Sequence, residues 1–437
     1  MKKEIKELIR QYKLWIIIFI VVIVRIVVYS FYREFTIYPD TSSYIYYSGN
    51  ILKGEIDVTR TPIYPYIIKF VMMLTQKTMT IYRSITFIQE IVSIISVIVL
   101  YMTLKKMFKT KKTADIVTLL YGCFPAIFTY NRVILTESLS ISLLVMYFCL
   151  IIKYISEPTN KKTILIGAYT LLLIMLRPSF IYLTIVLAIM FVTIFILKKE
   201  KRKQAILGLG TLGCVGIVIV GYCFLNKQQN DFFAISNVTQ INQLDTVIGM
   251  EIYNTGYEQD EGIINIIEEK LDGEYASVWY RKTTNKIMAT HTPEQIDEYL
   301  GRCIKNNFGT YASKTIEKAI NIITVYCDDI YLSPKDIEMQ VKPIIYFGFI
   351  YVYLIIEVIC IIKEIIKNKQ INLNEFAMFL IIAGQLATII LGAQAEYSRL
   401  FIPVLPIFIV AIAWQIEKIV EFIKSKSSER NLEERKI

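Results

Sequence analysis

About ten apolar runs, each close to 20 residues long, recur along this 437-residue chain and leave few folds open to it. A helix of that length spans the hydrocarbon core of a bilayer, about 30 Å thick. Inside that core only helices and closed barrels satisfy their own backbone groups. The runs have the length of helices and lack the alternation of strands, so the expected fold class is an all-α polytopic membrane protein with about ten transmembrane helices. Spans are expected near 14–32, 80–104, 113–131, 135–154, 162–176, 179–197, 204–225, 342–362, 375–393 and 400–422.

The charges between the runs give a direction to the alternation. Lys2, Lys3, Lys6, Arg10 and Lys13 precede the first run, which places the N-terminus in the cytoplasm. Every second connection is then cytoplasmic: Lys105–Lys112, Lys153–Lys162, Lys198–Lys203, Lys363–Lys369 and the tail from Lys424, all rich in lysine or arginine. The short outward connections carry one cation each, Arg132, Arg177 and Arg399. Both termini are therefore expected in the cytoplasm of a multi-pass cell-membrane protein. Topology also accounts for the net charge of +10, and no nucleic-acid partner is expected. The Trp15–Tyr32 run lacks a small-residue cleavage site and reads as the first anchor. There is one histidine and no CxxC, so no zinc site of ordinary type is expected. Cys303 and Cys327 fall in a polar segment where an oxidising compartment would let them pair.

Two outward segments are long, and they divide the chain. Residues 1–225 form an N-terminal membrane core with a first external loop at 33–79; 226–341 is an external, α-rich domain; 342–437 holds the last helices and a cytoplasmic tail. In the first loop Thr61 is placed to cap a short helix opening on Pro62, with Ile63, Ile67, Phe70, Val71 and Leu74 along one face. It is too short to span and suits the interface. In the external domain Gly262–Leu271 and Thr292–Asn306 read as helices. Gly208-Leu-Gly210-Thr-Leu-Gly213 matches a dinucleotide fingerprint but opens an apolar span without a preceding strand, so close helix packing at Gly210, Gly213 and Gly216 is the expected use.

With this topology, ionisable residues distant in sequence reach the outer face together: Asp40, Arg60, Glu137, Arg177, Glu396 and Arg399. Charged groups at helix ends beside apolar walls are functional candidates. Such a set suits glycosyl transfer from a lipid-linked donor. A phosphate leaving group departs without being protonated, because its second pKa is about 6. One carboxylate as base on the acceptor hydroxyl and cations on the developing phosphate charge are then enough. Glycosidases, with a poorer leaving group, need a second carboxyl as acid. Asp40 is the expected base, although it could equally cap a helix starting at Thr41. Glu137 follows Thr136 at a helix start, where a cap or the dipole would also explain it. Arg177, Arg399 and, more weakly, Arg60 are candidate phosphate ligands. Snorkelling, or a pairing of Arg60 with Asp57, competes with that role. The tyrosines of 38–66 suit a membrane interface, and some could stack on a sugar ring.

Asp40, Tyr44, Gly54, Pro62, Tyr64 and Pro65 together resemble the first external loop of the GT-C glycosyltransferases, polytopic enzymes that take sugars from polyprenyl-phosphate lipids. The resemblance is to the protein O-mannosyltransferase-like and aminoarabinose-transferase-like branch. It extends over residues 1–200 and includes the Thr-Glu-Ser at Glu137, with a weaker echo in Arg399, Pro403 and Pro406. It implies a polyprenyl-phosphate sugar donor, a hydroxyl acceptor and inverting transfer at the outer membrane face. Asp40 and Glu137 would be catalytic, Arg177, Arg399 and Arg60 on the donor phosphate, and Tyr44, Tyr64 and Glu396 on sugar or acceptor. Many relatives carry Asp-Glu at the first acidic site, whereas Thr41 follows Asp40 here. No cofactor is required by this reading, and a divalent cation is left open. A polysaccharide polymerase using lipid-linked glycans fits the same face. A flippase of lipid-linked sugars would instead call for repeats and charges near the midplane, where only Arg25 and Glu90 lie.

Overall fold

The structure is a computed structural model that describes residues 2–32, 34–269, 276–325, 347–368, 370–393 and 396–434. Nineteen α-helices follow in chain order among these residues. The membrane core opens with α1 (Lys2–Ser30), α2 (Pro39–Asn50), α3 (Ile63–Leu74), α4 (Thr78–Met107), α5 (Lys111–Cys123) and α6 (Pro125–Phe128). It continues through α7 (Glu137–Ser156), α8 (Asn160–Leu176), α9 (Tyr182–Leu197) and α10 (Arg202–Asn230). The segment after α10 contributes α11 (Val238–Gly249), α12 (Glu261–Glu268), α13 (Ala276–Thr290), α14 (Pro293–Asn306) and α15 (Phe308–Ile322). The chain then returns through α16 (Phe347–Asn368), α17 (Leu373–Gly392), α18 (Tyr397–Phe401) and α19 (Leu405–Glu434).

Each expected apolar run is helical over its described residues, but the count by length and composition is smaller. Seven helices among the described residues are long and apolar enough to cross a bilayer, and an eighth span forms if a bent pair is counted as one. That pair is the expected 113–131 helix, broken by 50° between Cys123 and Pro125. Proline has no N–H for the helical ladder, so a new helix begins on it. Helix α8 falls short because it has 17 residues. Helix α16 carries Glu357, Lys363 and Glu364 within its 22 residues.

Helix α7 is the centre of the bundle: nearly its whole circumference is buried, and α4, α8, α17 and α19 pack around it. The two mid-span charges meet inside the core. Arg25 Nη1 lies 2.6 Å from Glu90 Oε1, and its Nε donates to the Gly122 carbonyl. A buried charge in a span is tolerable only with such partners.

The packed glycine of the α10 run is Gly208, against which the Phe191 ring lies; a Cβ there would meet that ring at 2.6 Å. Gly210, Gly213 and Gly216 have nothing within reach of a Cβ, so the expected packing at those three is corrected. The physical reason is that the face of α10 turned to α9 carries Gly208, and the other three point away from it.

Helices α11 to α14 have a small core of their own, built from Leu244, Val247, Ile263, Ile267, Ile296, Tyr299 and their neighbours, separate from the core of the helical bundle. Thr292 caps α14 with a full capping box, its hydroxyl accepting from Gln295 N while the Gln295 side chain accepts from Thr292 N. Buried Asp260 takes two bonds from Arg302. Cys303 is a free thiol buried in this core; Cys327, with which an oxidising compartment would let it pair, lies outside the described residues. The chain leaves at Val325 and re-enters beside it, with Phe347 N donating to the Val325 carbonyl.

Candidate active site

Asp40, Glu137, Arg177 and Arg399 come from four separate parts of the chain, and local structure explains how each arrives. Pro39 opens α2, so Asp40 sits in its first turn and is not its cap. Instead Thr41 receives the Tyr38 backbone N–H and donates its own hydroxyl to the Ile134 carbonyl. The segment before α2 is pinned to the same place. Thr36 forms a parallel bridge with Val133, its N–H going to the Arg132 carbonyl and its carbonyl accepting from Ile134 N. These bonds hold the start of α2 beside residues 132–136, which lead into α7. Glu137 is the first residue of α7, and Thr136 makes no side-chain cap. Arg177 follows the last turn of α8, where Pro178 stops the helix. Arg399 lies in the short α18, which α17 holds through a Gln385 Nε2 bond to the Leu400 carbonyl.

Arg399 is the hub of the cluster. Its Nε donates to Glu137 Oε1 at 2.5 Å, its Nη1 to Glu396 Oε2 at 3.0 Å and its Nη2 to Asp40 Oδ2 at 3.0 Å. Arg60 completes Asp40 from the other side, with Nη2 donating to Oδ1 at 2.8 Å and Nε to Ser43 Oγ. Asp57 is not the partner of the Arg60 side chain; its carboxylate accepts the backbone N–H groups of Thr59 and Arg60. Arg177 Nη1 stands 3.4 Å from Glu137 Oε1. Glu137 is 1% exposed and its Oε2 has no hydrogen-bond partner among the described residues. Asp40 is 26% exposed, so of the two carboxylates read as catalytic the one open to solvent is the one proposed as base. Burial pushes its pKa up, but the Arg60 and Arg399 guanidiniums outweigh this and hold it below the ordinary carboxylate value.

The aromatic candidates separate. The Tyr44 ring lies under the Arg60 guanidinium, 4.5 Å from its carbon, and its hydroxyl faces Arg60 Nη1 at 3.4 Å. The Tyr38 ring lies beneath Arg399 at 5.1 Å. Tyr64 is fully buried, edge-on to Tyr44, with its hydroxyl donating to Gln89 Oε1. It supports Tyr44 from below and has no surface for a sugar, which corrects the expected contact role. Helix α3 starts at Ile63, and Pro62 rather than Thr61 stands at its cap. Gly54 ends the turn after α2 at φ +80°, the left-handed region that glycine enters without penalty.

Residues that sequence reasoning passed over anchor the Glu137 loop. Gln89 Nε2 donates to the Asn131 and Val133 carbonyls, and Asn131 Nδ2 donates to Glu90 while its Oδ1 accepts from Ser138. A Gln-Glu pair in the middle of an apolar span was the available signal.

The donor set does not suit a divalent ion as arranged. Both Asp40 oxygens are engaged by guanidiniums, and Arg399 stands between the three carboxylates. No group of three or more histidine, cysteine, aspartate or glutamate side chains able to hold a metal occurs among the described residues.

Residues 59–223 match the family model of dolichyl-phosphate-mannose-protein mannosyltransferases, less than half of the chain. The match takes in Arg60, Glu137 and Arg177 and leaves out Asp40 and Arg399. No curated protein matches the sequence. Among solved structures, the Archaeoglobus fulgidus oligosaccharyltransferase tethered to an acceptor peptide superposes with a TM-score of 0.50 at 12% identity, covering 93% of this chain and 50% of that one. The chain has a GT-C-like fold. The apo form of that protein gives a TM-score of 0.49 at 12% identity, covering 95% and 51%. Its complex with an inhibitory peptide and a dolichol-phosphate gives 0.47 at 10%, covering 95% and 52%. The chain thus spans about half the length of the solved structures it matches. With its apolar helices it is a multi-pass membrane protein.

Proposed function

We propose that this GT-C protein is an inverting glycosyltransferase that moves a sugar from a polyprenyl-phosphate donor to a hydroxyl acceptor at the outer membrane face. The observation that carries the reading is the meeting of Asp40 with Arg399 at a cluster drawn from α2, α7, the end of α8 and α18. All four members lie at the same end of the bundle. The lysine-rich α4–α5 connection lies at the other, where Lys109 pairs with Glu421 of α19. By the positive-inside rule that second end is cytoplasmic.

In the reaction the acceptor oxygen attacks the anomeric carbon and its proton passes to Asp40. The bond from that carbon to the phosphate oxygen breaks, and the phosphate departs with the electron pair. A guanidinium matches phosphate through paired donors. Arg399 and Arg177 are proposed to receive the developing charge, with Glu137 fixing both. A phosphate that draws Arg399 off Asp40 Oδ2 would also strengthen Asp40 as a base, so donor binding would prepare the acceptor step. Arg60, stacked on Tyr44, keeps Asp40 oriented. Arg60 is therefore read as a positioning residue, and Tyr44 and the half-exposed Glu396 as the walls open to sugar or acceptor.

The test is transfer from radiolabelled polyprenyl-phosphate sugars in membranes, wild type against Asp40→Asn. Asparagine keeps the shape and loses the base, so transfer is expected to fall by about 10²–10⁴ with normal expression. Undiminished transfer by the variant would remove Asp40 as base. No transfer by the wild type from any such donor would remove the donor class.

A further inference from the structure

The carboxylates and guanidiniums of the cluster balance: Asp40, Glu137 and Glu396 face Arg60, Arg177 and Arg399. An incoming phosphate adds negative charge that this set does not offset. One further cation stands against α18, the short helix that carries Arg399. Lys318, on α15, places its ammonium 6.0 Å from the centre of the Tyr397 ring, two residues before Arg399 in α18. That ammonium is buried and has no hydrogen-bond partner among the described residues. A buried cation without a partner is costly unless something neutralises it.

We propose that Lys318 binds the phosphate of the lipid donor, bringing a cation from the external segment to a cluster whose own charges are already matched. This rests on the donor class proposed above. Burial alone moves the Lys318 pKa down, to about 8. Its charged neighbours along α15 are Lys314, which donates to the Met250 carbonyl, and the exposed Glu317. Glu396 and Arg399 flank Tyr397 on α18, and the only charged residue of α17, Glu375, lies at that helix's far end beside Lys418. From α16 the Tyr351 hydroxyl reaches the Ala319 carbonyl next door. An arriving phosphate would make the protonated form the stable one, so binding would draw a proton onto the free site at neutral pH and above.

The experiment measures binding of farnesyl phosphate to the purified full chain in phosphatidylcholine nanodiscs, for wild type, Lys318→Met and Lys318→Arg, from pH 7 to 9.5. The probe is already largely a dianion across that range, since a phosphate monoester has its second pKa at about 6. Wild-type affinity is expected to fall as pH rises through about 8. Lys318→Met should bind about tenfold or more weakly at pH 7 and lose the pH slope. Lys318→Arg should keep the affinity and also lose the slope, because arginine stays charged. Wild-type affinity in Lys318→Met, or a slope surviving in Lys318→Arg, overturns the proposal. A second arm adds phosphatidylglycerol. If Lys318 serves bilayer headgroups instead, the variants will differ from wild type only in their response to that lipid, which also overturns it. Asp40→Asn is expected to bind the probe while losing transfer. Binding by wild type with no effect of Lys318 therefore sinks this inference alone, whereas no binding by wild type removes the donor reading with it.

Discussion

At the scale of single residues, the chemistry turns on how three carboxylates and three guanidiniums divide their contacts. Asp40 is held ionised by two arginines, so protonation is expected to inactivate the enzyme only below the ordinary aspartate range, near 3.9. The sign follows from linkage: a depressed pKa means the ionised form is lost only as pH falls through the lowered value. Arg60→Met removes one of the two guanidiniums while burial, which acts upward, remains. The acid limb of kcat/KM should therefore move to higher pH in Arg60→Met, with the alkaline side unchanged. An acid limb that stays in place would show that Arg60 does not tune Asp40. Arg399 leads to a second expectation at this scale. Because its guanidinium stands where a shared divalent ion would have to sit, transfer should proceed undiminished after EDTA treatment. Loss of activity on chelation, restored by Mn²⁺ or Mg²⁺, would mean that Arg399 vacates the centre when substrate binds.

At the scale of elements, the site depends on how the first loop docks on the start of α7. Gln89 is the fastening: it satisfies two loop carbonyls and accepts from Tyr64, all inside the core. Gln89→Leu would orphan these groups at about 1–3 kcal/mol each. Tyr64→Phe removes a single bond worth about 1 kcal/mol. Thermal unfolding in detergent should therefore place Gln89→Leu well below Tyr64→Phe, and its kcat should fall as Glu137 loses its fixed position. Equal losses would show that the loop is held elsewhere. Packing gives a sharper contrast along α10. Gly208→Ala forces a methyl into the Phe191 ring and should cost about 1–3 kcal/mol, whereas Gly210→Ala meets nothing and should gain up to about 1 kcal/mol in helix propensity.

The same elements show what could be read in advance. Apolar length located the seven or eight candidate spans but counted ten, and the alternation of lysine-rich connections brought Asp40, Glu137, Arg177, Glu396 and Arg399 to one end. Both are properties of local composition, which a sequence displays directly. Partner choice is not. That Arg60 pairs with Asp40 rather than the nearer Asp57, that Tyr64 lies sealed beneath Tyr44, and that Lys318 approaches α18 all depend on contacts between segments far apart in sequence. The break at Pro125 was visible as a proline, but whether a proline kinks a span or ends it depends on the helices packed around it.

At the scale of the whole molecule, the argument is about sides. The ionic cluster and the segment holding α11 to α15 share one end of the bundle, where Asn237 N donates to the carbonyl of Val58 in the first loop. At the other, Glu417 of α19 accepts the backbone N–H of Thr110, and Lys109 pairs with Glu421. A donor built on a lipid phosphate is accessible to an outward site only if the lysine-rich end faces the cytoplasm, so the chemistry and the charge asymmetry must agree on orientation. Single cysteines report it directly once the native cysteines are replaced. Gln259→Cys, in the exposed stretch before α12, should react with a membrane-impermeant maleimide in intact cells. Lys106→Cys, exposed at the end of α4, should react only after the membrane is opened. The reverse pattern would put Asp40 on the cytoplasmic side. There nucleotide sugars are available, and a lipid-phosphate donor would no longer be needed to explain the site.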